Sequence, residues 1–121
     1  MPRIILIDDE PLVRRTFARL LETKGYETEC FDSAEDFLSG AKREETVCLL
    51  VDYRLPGMNG CELLRALRRA GDLTPAILLS GNVDDSMVPL LSGLDPVRAL
   101  GKPCRSAELF SLIESCLSES S

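Results

Sequence analysis

Five strand-like segments alternate with five stretches whose apolar residues recur at helical spacing, and no other feature limits the fold so strongly. The segments are Ile4–Ile7, Tyr26–Phe31, Val47–Val51, Ala76–Leu79 and Val97–Leu100. Short apolar runs bounded by turn signals read as strands covered on both faces. Strands joined through helices run parallel, with right-handed crossovers and helices on both sides of the sheet. The chain therefore reads as an α/β fold, a doubly wound parallel sheet of five strands. Tyr26–Phe31 alternates instead of running apolar, which makes it a half-exposed edge; with the strand order 2-1-3-4-5, the ends of strands one, three, four and five lie side by side. No linker or internal repeat appears, so residues 1–121 read as one domain. A chain of that length buries roughly two thirds of its unfolded surface.

Pro11 opens the first helical stretch, where its missing N–H costs nothing. Val13, Phe17, Leu20 and Leu21 carry that helix to Lys24-Gly25. Ser33 is a good N-cap for a short second helix bearing Phe37, Leu38 and Ala41. Leu63, Leu64 and Leu67 mark a third helix ending at Ala70-Gly71. Asp84–Gly93 is irregular, because Pro89 breaks any helix that begins at Asp84; a short, mobile fourth helix is expected. Ser106 is expected to cap a last helix striped by Leu109, Leu112, Ile113 and Cys116, followed by a frayed polar tail from Ser118. Gly25, Gly40, Gly71 and Gly93 fall where left-handed caps close helices.

A net charge of −6 argues against a nucleic-acid surface. The paired basic residues Arg14–Arg15 and Arg68–Arg69 read as solvated outer helix faces. Five cysteines, odd in number and without a C-x-x-C pair, fit a reduced cytoplasmic protein better than a disulfide scaffold. Cys48 and Cys116 lie on apolar faces, where Cys acts as a small hydrophobe. The absence of histidine excludes an internal phosphohistidine or a Ser-His-Asp triad. No apolar run approaches the roughly 20 residues that span a bilayer, and the first is too short for a signal peptide.

In such sheets ligands bind outside the carboxyl ends of the strands, near the point where strand order reverses. Asp8 and Asp9 end strand one, Asp52 ends strand three, Ser80 ends strand four, and Lys102 follows strand five. Each has a plainer explanation taken alone. Asp8 or Asp9 could cap the first helix, Asp52 could form an Asx-turn before Pro56, Ser80 could be a turn hydroxyl, and Lys102 could be solvated. One functional reading explains all of them together. Carboxylates within about 5 Å of each other repel by roughly 3 kcal/mol per pair at an effective dielectric near 20. One lysine cannot offset that, so a divalent cation such as Mg²⁺, which takes oxygen ligands, is the natural partner. The cation would screen Asp52 as it attacks an anionic phosphate. Lys102 and Ser80 would then meet the phosphoryl oxygens.

Asp8-Asp9-Glu10-Pro11, Asp52 with Leu55-Pro56-Gly57-Met58-Asn59-Gly60, Ser80-Gly81 and Lys102-Pro103 together resemble the response-regulator receiver domain of two-component signalling. The resemblance spans essentially the whole chain. It implies an Mg²⁺-dependent aspartyl phosphate at Asp52, supplied by a histidine kinase, a phosphotransfer protein or a small donor such as acetyl phosphate. It implies metal ligation by Asp9, Asp52 and the backbone carbonyl of Arg54, with Asp8 holding a metal-bound water. Ser80 and Lys102 would contact the phosphoryl group, and the Lys102–Pro103 peptide would be cis. Arg54 and Asn82 occupy positions that tune dephosphorylation in the family. The chain departs from the pattern at Ala99, where the family usually carries an inward-turning Tyr or Phe, and at Leu55, where Met is more usual.

The implied output is a change in protein–protein contacts through helix four, strand five and helix five, with Met87, Val88, Leu90 and Leu91 as a candidate apolar patch, though core burial of some of them is the favoured expectation. A downstream protein is the expected partner, neither nucleic acid nor membrane is, and a homodimer stays open. The polar tail favours a stand-alone regulator over a receiver cut from a longer chain. Two competing readings are a binding module that works without phosphate, which Ala99 keeps open, and an aspartate-nucleophile phosphohydrolase. The latter is disfavoured because no cap domain is present and the nucleophile lies on strand three. On the first reading the chain is no enzyme beyond its own phosphoryl transfer and dephosphorylation.

Overall fold

A computed structural model describes residues 3–40, 46–81, 87–102 and 105–120, with the backbone alone at 87, 88 and 118–120. The elements follow in the order β1 (Arg3–Ile7), α1 (Pro11–Glu22), β2 (Glu27–Phe31), α2 (Ala34–Gly40), β3 (Thr46–Asp52), α3 (Gly60–Arg69), β4 (Ala76–Ser80), α4 (Met87–Leu91), β5 (Val97–Gly101) and α5 (Ser106–Ser120). All five strands form one parallel sheet in the order β2-β1-β3-β4-β5.

Successive side chains of a strand point to opposite faces, and here both faces are covered. Ile5, Ile7, Leu49, Val51, Ala76 and Leu78 pack with Ala34 and Phe37 of α2 and Leu63, Leu64 and Leu67 of α3. Their neighbours Ile4, Leu6, Cys48, Leu50, Ile77 and Leu79 pack with Leu21 of α1 and Leu109, Ile113 and Cys116 of α5. Two cores share one sheet, so the central strands have no polar face to show. That is the reason for their unbroken apolar runs.

Local signals act where their chemistry allows. The Ser33 hydroxyl accepts the Asp36 amide at 3.0 Å and caps α2. Asn59 and Glu62 form a capping box on α3, each side chain accepting the other's backbone N–H. α4 begins at Met87, so Pro89 falls within its first turn, where a missing N–H leaves no helical bond unmade. Residues 82–86 lie outside the described part, and with them any test of mobility in that segment.

Four expectations need correction. Arg68 is half-buried, and its guanidinium donates to the carbonyls of Leu94, Asp72 and Pro96. Arg14 is half-buried too, and donates to the Asp8 carbonyl at 2.7 Å. Neither is a solvated charge, because each has a long stem that lies along the protein while its head meets backbone carbonyls. Gly25, Gly71 and Gly93 adopt the left-handed conformation, but Gly40 is simply the last residue of α2 and does not. α5 starts at Ser106 itself and runs through Ser120, so Ser106 lies inside the helix and the tail continues it.

Candidate functional site

The carboxyl ends of β1, β3, β4 and β5 lie side by side, as the strand order requires. Asp8 follows β1 and is fully buried, Asp52 is the last residue of β3 and is 6% exposed, and Ser80 ends β4 and is 5% exposed. Asp9 is exposed beside them. One ligand oxygen from each of Asp8, Asp9 and Asp52 can be chosen so that all lie within 4.8 Å of one another. Lys102 Nζ sits 3.2 Å from Asp8 Oδ2 and 3.1 Å from Asp52 Oδ2. Asp9, Glu10, Asp52, Arg54, Gly81 and Lys102 line a cleft of about 440 Å³ over these groups. A larger hollow of about 590 Å³ lies at the other end of the sheet, against Arg3, Glu27 and Glu29, away from this cluster.

Backbone geometry holds each acid. Asp8 accepts the Glu10 amide on Oδ1 at 2.9 Å, and its own N–H donates to the Phe31 carbonyl at 3.0 Å. Glu10 occupies the N-cap position of α1 without a side-chain cap, so neither Asp8 nor Asp9 occupies that position. Asp52 Oδ1 accepts the Arg54 amide at 3.2 Å. Asp52 therefore closes an Asx-turn, as its plainer reading expected, and lines the cleft at once. Arg54 itself is exposed. The Lys102 amide donates to the Ser80 carbonyl at 2.8 Å, fastening the end of β5 to the end of β4.

Burial pushes the Asp52 carboxyl above the ordinary carboxylate value; the Lys102 contact opposes this, and the charge of Asp8 adds to it. Burial alone would pull the Lys102 ammonium down, but the hydrogen bond and charge of Asp52, joined by Asp8, leave it raised. The lysine is thus held charged between two acids it only partly neutralises.

The β3–α3 loop is tied by groups that no local pattern announces. Glu35 of α2 accepts the Met58 amide at 3.0 Å, and that bond lowers its pKa. Gly57 has φ of 74°, and a Cβ there would lie 2.7 Å from Glu35 Oε2. Gly60 starts α3 so close to the site strand that a Cβ would lie 2.7 Å from the Asp52 carbonyl. Arg14, Glu35 and Arg68 escaped sequence reasoning because their partners are backbone atoms, which carry no residue identity. The Asn59–Glu62 capping box could have been read from its spacing.

Ala99 is half-buried on β5 and lines a shallow hollow of about 520 Å³ with Leu100, Ala107, Glu108, Ser111 and Leu112. Leu90 is exposed and Leu91 packs on the core, while the side chains of Met87 and Val88 fall outside the described part. Asn82 and Pro103 lie outside it as well, and so does the expected cis bond at Lys102–Pro103. Cys48, Cys61 and Cys116 are buried and Cys30 is exposed. Among the described residues no helix is long and apolar enough to cross a membrane.

Residues 4–114 match the family described as the response regulator receiver domain. The response regulator protein TodT of Pseudomonas putida is 33% identical over 114 residues, covering 94% of this chain and 50% of that protein. The transcriptional regulatory protein FixJ of Bradyrhizobium diazoefficiens is 30% identical over 114 residues, covering 94% and 56%. The chain thus spans about half the length of these relatives. Among solved structures, the response regulator StyR superposes with a TM-score of 0.88 at 32% identity, over 97% of this chain and 59% of that one. The Vibrio cholerae chemotaxis protein CheY4 superposes with a TM-score of 0.87 over 97% and 99%; at 22% identity it speaks to the fold alone.

Proposed function

Because the chain belongs to the receiver-domain family of response regulators, we propose that it is a phosphoacceptor switch whose accepting group is the Asp52 carboxylate. The observation that carries this reading is the Lys102 ammonium at 3.2 Å from Asp8 and 3.1 Å from Asp52, residues remote in sequence that meet at one cleft. An oxygen of Asp52 attacks the phosphorus of a phosphohistidine on a histidine kinase or phosphotransfer protein. The P–N bond breaks, its electron pair leaves with the imidazole, and an acyl phosphate forms on Asp52. Burial makes this carboxylate more basic than usual, while Lys102 and the Arg54 amide favour its ionised form. Lys102 then moves its contact from Asp52 to a phosphoryl oxygen, and Ser80 offers its hydroxyl to another.

Three carboxylates gathered within 4.8 Å, one of them exposed, suit a hard divalent cation with oxygen ligands. Asp9, Asp52 and the Arg54 carbonyl would hold Mg²⁺, with Asp8 acting through a water. Bound there, the ion would neutralise charge on the phosphoryl oxygens. Among the described residues the cluster offers carboxylate oxygens alone, which suit a hard cation better than a softer metal. The chain then catalyses only its own phosphorylation and dephosphorylation. We place it in the cytoplasm, with residues 1–121 forming one receiver domain that passes its signal to a downstream protein through the face of α4, β5 and α5.

Incubation with acetyl phosphate and Mg²⁺ should add one phosphate by intact mass. Asp52→Asn should abolish the addition, and Lys102→Ala should slow it by about 10²–10³-fold. No mass shift with any phosphodonor would overturn the proposal. The hollow beside Ala99 favours one second reading, a fixed binding surface that needs no phosphate. It requires that Asp52→Asn leave affinity for a captured partner unchanged.

A further inference from the structure

Arg68 is the side chain outside the cleft with the most unusual bonding. Its three donors end on three backbone carbonyls: Nε on Leu94 at 2.8 Å, Nη1 on Asp72 at 2.9 Å and Nη2 on Pro96 at 2.9 Å. Asp72 follows α3 and keeps the guanidinium attached to its own helix. Leu94 and Pro96 belong to the segment that leads from α4 into β5, and Leu94 is fully buried. The Pro96 carbonyl also accepts the Ala76 amide at 3.1 Å, so Arg68 shares the acceptor that opens the β4–β5 ladder. From there the register runs Ala76↔Val97 to Ser80↔Gly101 and ends on Lys102.

Among the described residues β5 has a neighbouring strand on one side only. An edge strand of this kind has little to resist sliding along its partner except its ladder and the anchoring of its ends. A shift by one residue would move Lys102 by about 3.3 Å and turn its side chain to the other face. Asp8 and Asp52, by contrast, leave strands that pack on both faces and have neighbours on both sides. We propose that Arg68 is a positioning residue for Lys102: by fastening the Leu94 and Pro96 carbonyls to the end of α3, it sets where β5 begins and so where the ammonium lies between Asp8 and Asp52. The planar fork is what the task needs, since it reaches three carbonyls at fixed angles. A lysine there reaches fewer of them and leaves a carbonyl without its donor.

This inference rests on the phosphoacceptor reading for its functional arm, and a second arm tests it without phosphate. In the first arm, Arg68→Lys should slow phosphorylation by acetyl phosphate about tenfold while leaving Mg²⁺ affinity, followed by calorimetry, unchanged. In a Lys102→Ala background the same substitution should cost nothing further, because the residue it positions is gone. An unchanged rate, an equal loss in Mg²⁺ affinity or full additivity with Lys102→Ala would each overturn the proposal. In the second arm, Arg68→Lys should speed hydrogen exchange at the Lys102 amide, which donates to Ser80, while Leu50 in β3 keeps its protection. Uniform acceleration, or none, would overturn it. Arg68→Gln gives a second variant should Arg68→Lys fail to fold. A wild-type protein that takes no phosphate but shows the selective exchange change would sink the phosphoacceptor reading and leave the positioning role standing.

Discussion

β1 buries every residue from Ile4 to Ile7 and β3 every residue from Cys48 to Asp52, whereas β5 buries Leu100 alone of its five. Both regions deliver a charged group to the same cleft. The acids arrive on strands clamped between two helix layers and two neighbouring strands, so their spacing is set by core packing that admits few alternatives. Lys102 arrives on a strand with one neighbour, steadied by the ladder to β4, the Ser80 carbonyl and the Arg68 contacts. The lesson is a division of labour. The groups that would receive a phosphoryl group are fixed, and the group that would sense it follows an edge strand with far less of its length buried.

If that contrast is real, it should appear first in stability. Leu50→Ala removes a fully buried side chain from β3 and should cost about 2–5 kcal/mol in urea unfolding. Val97→Ala trims a half-buried side chain at the start of β5 and should cost about 1 kcal/mol. Equal losses would mean that β5 is as firmly held as the centre, and the comparison would fail.

The same contrast governs how much could be read from sequence. The central strands announced themselves because burial on both faces leaves Ile4–Ile7, Val47–Val51 and Ala76–Leu79 no room for a polar residue. Asp8, Asp52 and Ser80 stood out as the points where those runs stop. Three different kinds of signal failed elsewhere. Arg68 and Arg14 looked like solvated charges because their partners are carbonyls of Leu94, Pro96 and Asp8, which carry no residue identity. Glu35 has nothing in its local sequence to announce its partner, the Met58 amide 23 residues on, yet it ties down the loop after β3. Ser106 carried the right chemistry for a cap but lies inside α5, because a capping residue type does not by itself say where a helix starts.

A finer probe compares two glycines beside the cleft. At Gly60 an added Cβ would lie 2.7 Å from the Asp52 carbonyl and 2.7 Å from Leu78 Cδ1. Backbone on one side and a core side chain on the other cannot both yield cheaply. Gly60→Ala should therefore cost about 1–3 kcal/mol and slow phosphorylation by disturbing Asp52. At Gly81 no atom of the described residues lies within 4 Å of the added atom, so Gly81→Ala should change stability by less than about 0.5 kcal/mol. Thermal melts of the two variants side by side decide it. A tolerated Gly60→Ala would show that the β3 side of the cleft has more slack than its packing implies.

The smallest effect concerns the charge on Asp52 itself. Its carboxyl titrates above the ordinary value because burial disfavours the anion more than Lys102 restores it. The folded protein therefore binds that proton more tightly than the unfolded chain does. Above the raised value the ionised carboxylate lowers stability; as pH falls through it towards the ordinary carboxylate value, the cost disappears. Asparagine carries no charge to desolvate, so without metal at neutral pH Asp52→Asn should be more stable than wild type by about 1 kcal/mol or less, a few degrees in Tm. The gap should close on acidification. Saturating Mg²⁺ should reverse the order, because a cation bound to the native acids stabilises wild type and the variant has lost one of its ligands. Melting curves with chelator and with Mg²⁺, at neutral and acid pH, test both signs. A variant less stable in chelator would mean that the Lys102 ion pair outweighs burial, and that the acids are held in place by the β5 side after all.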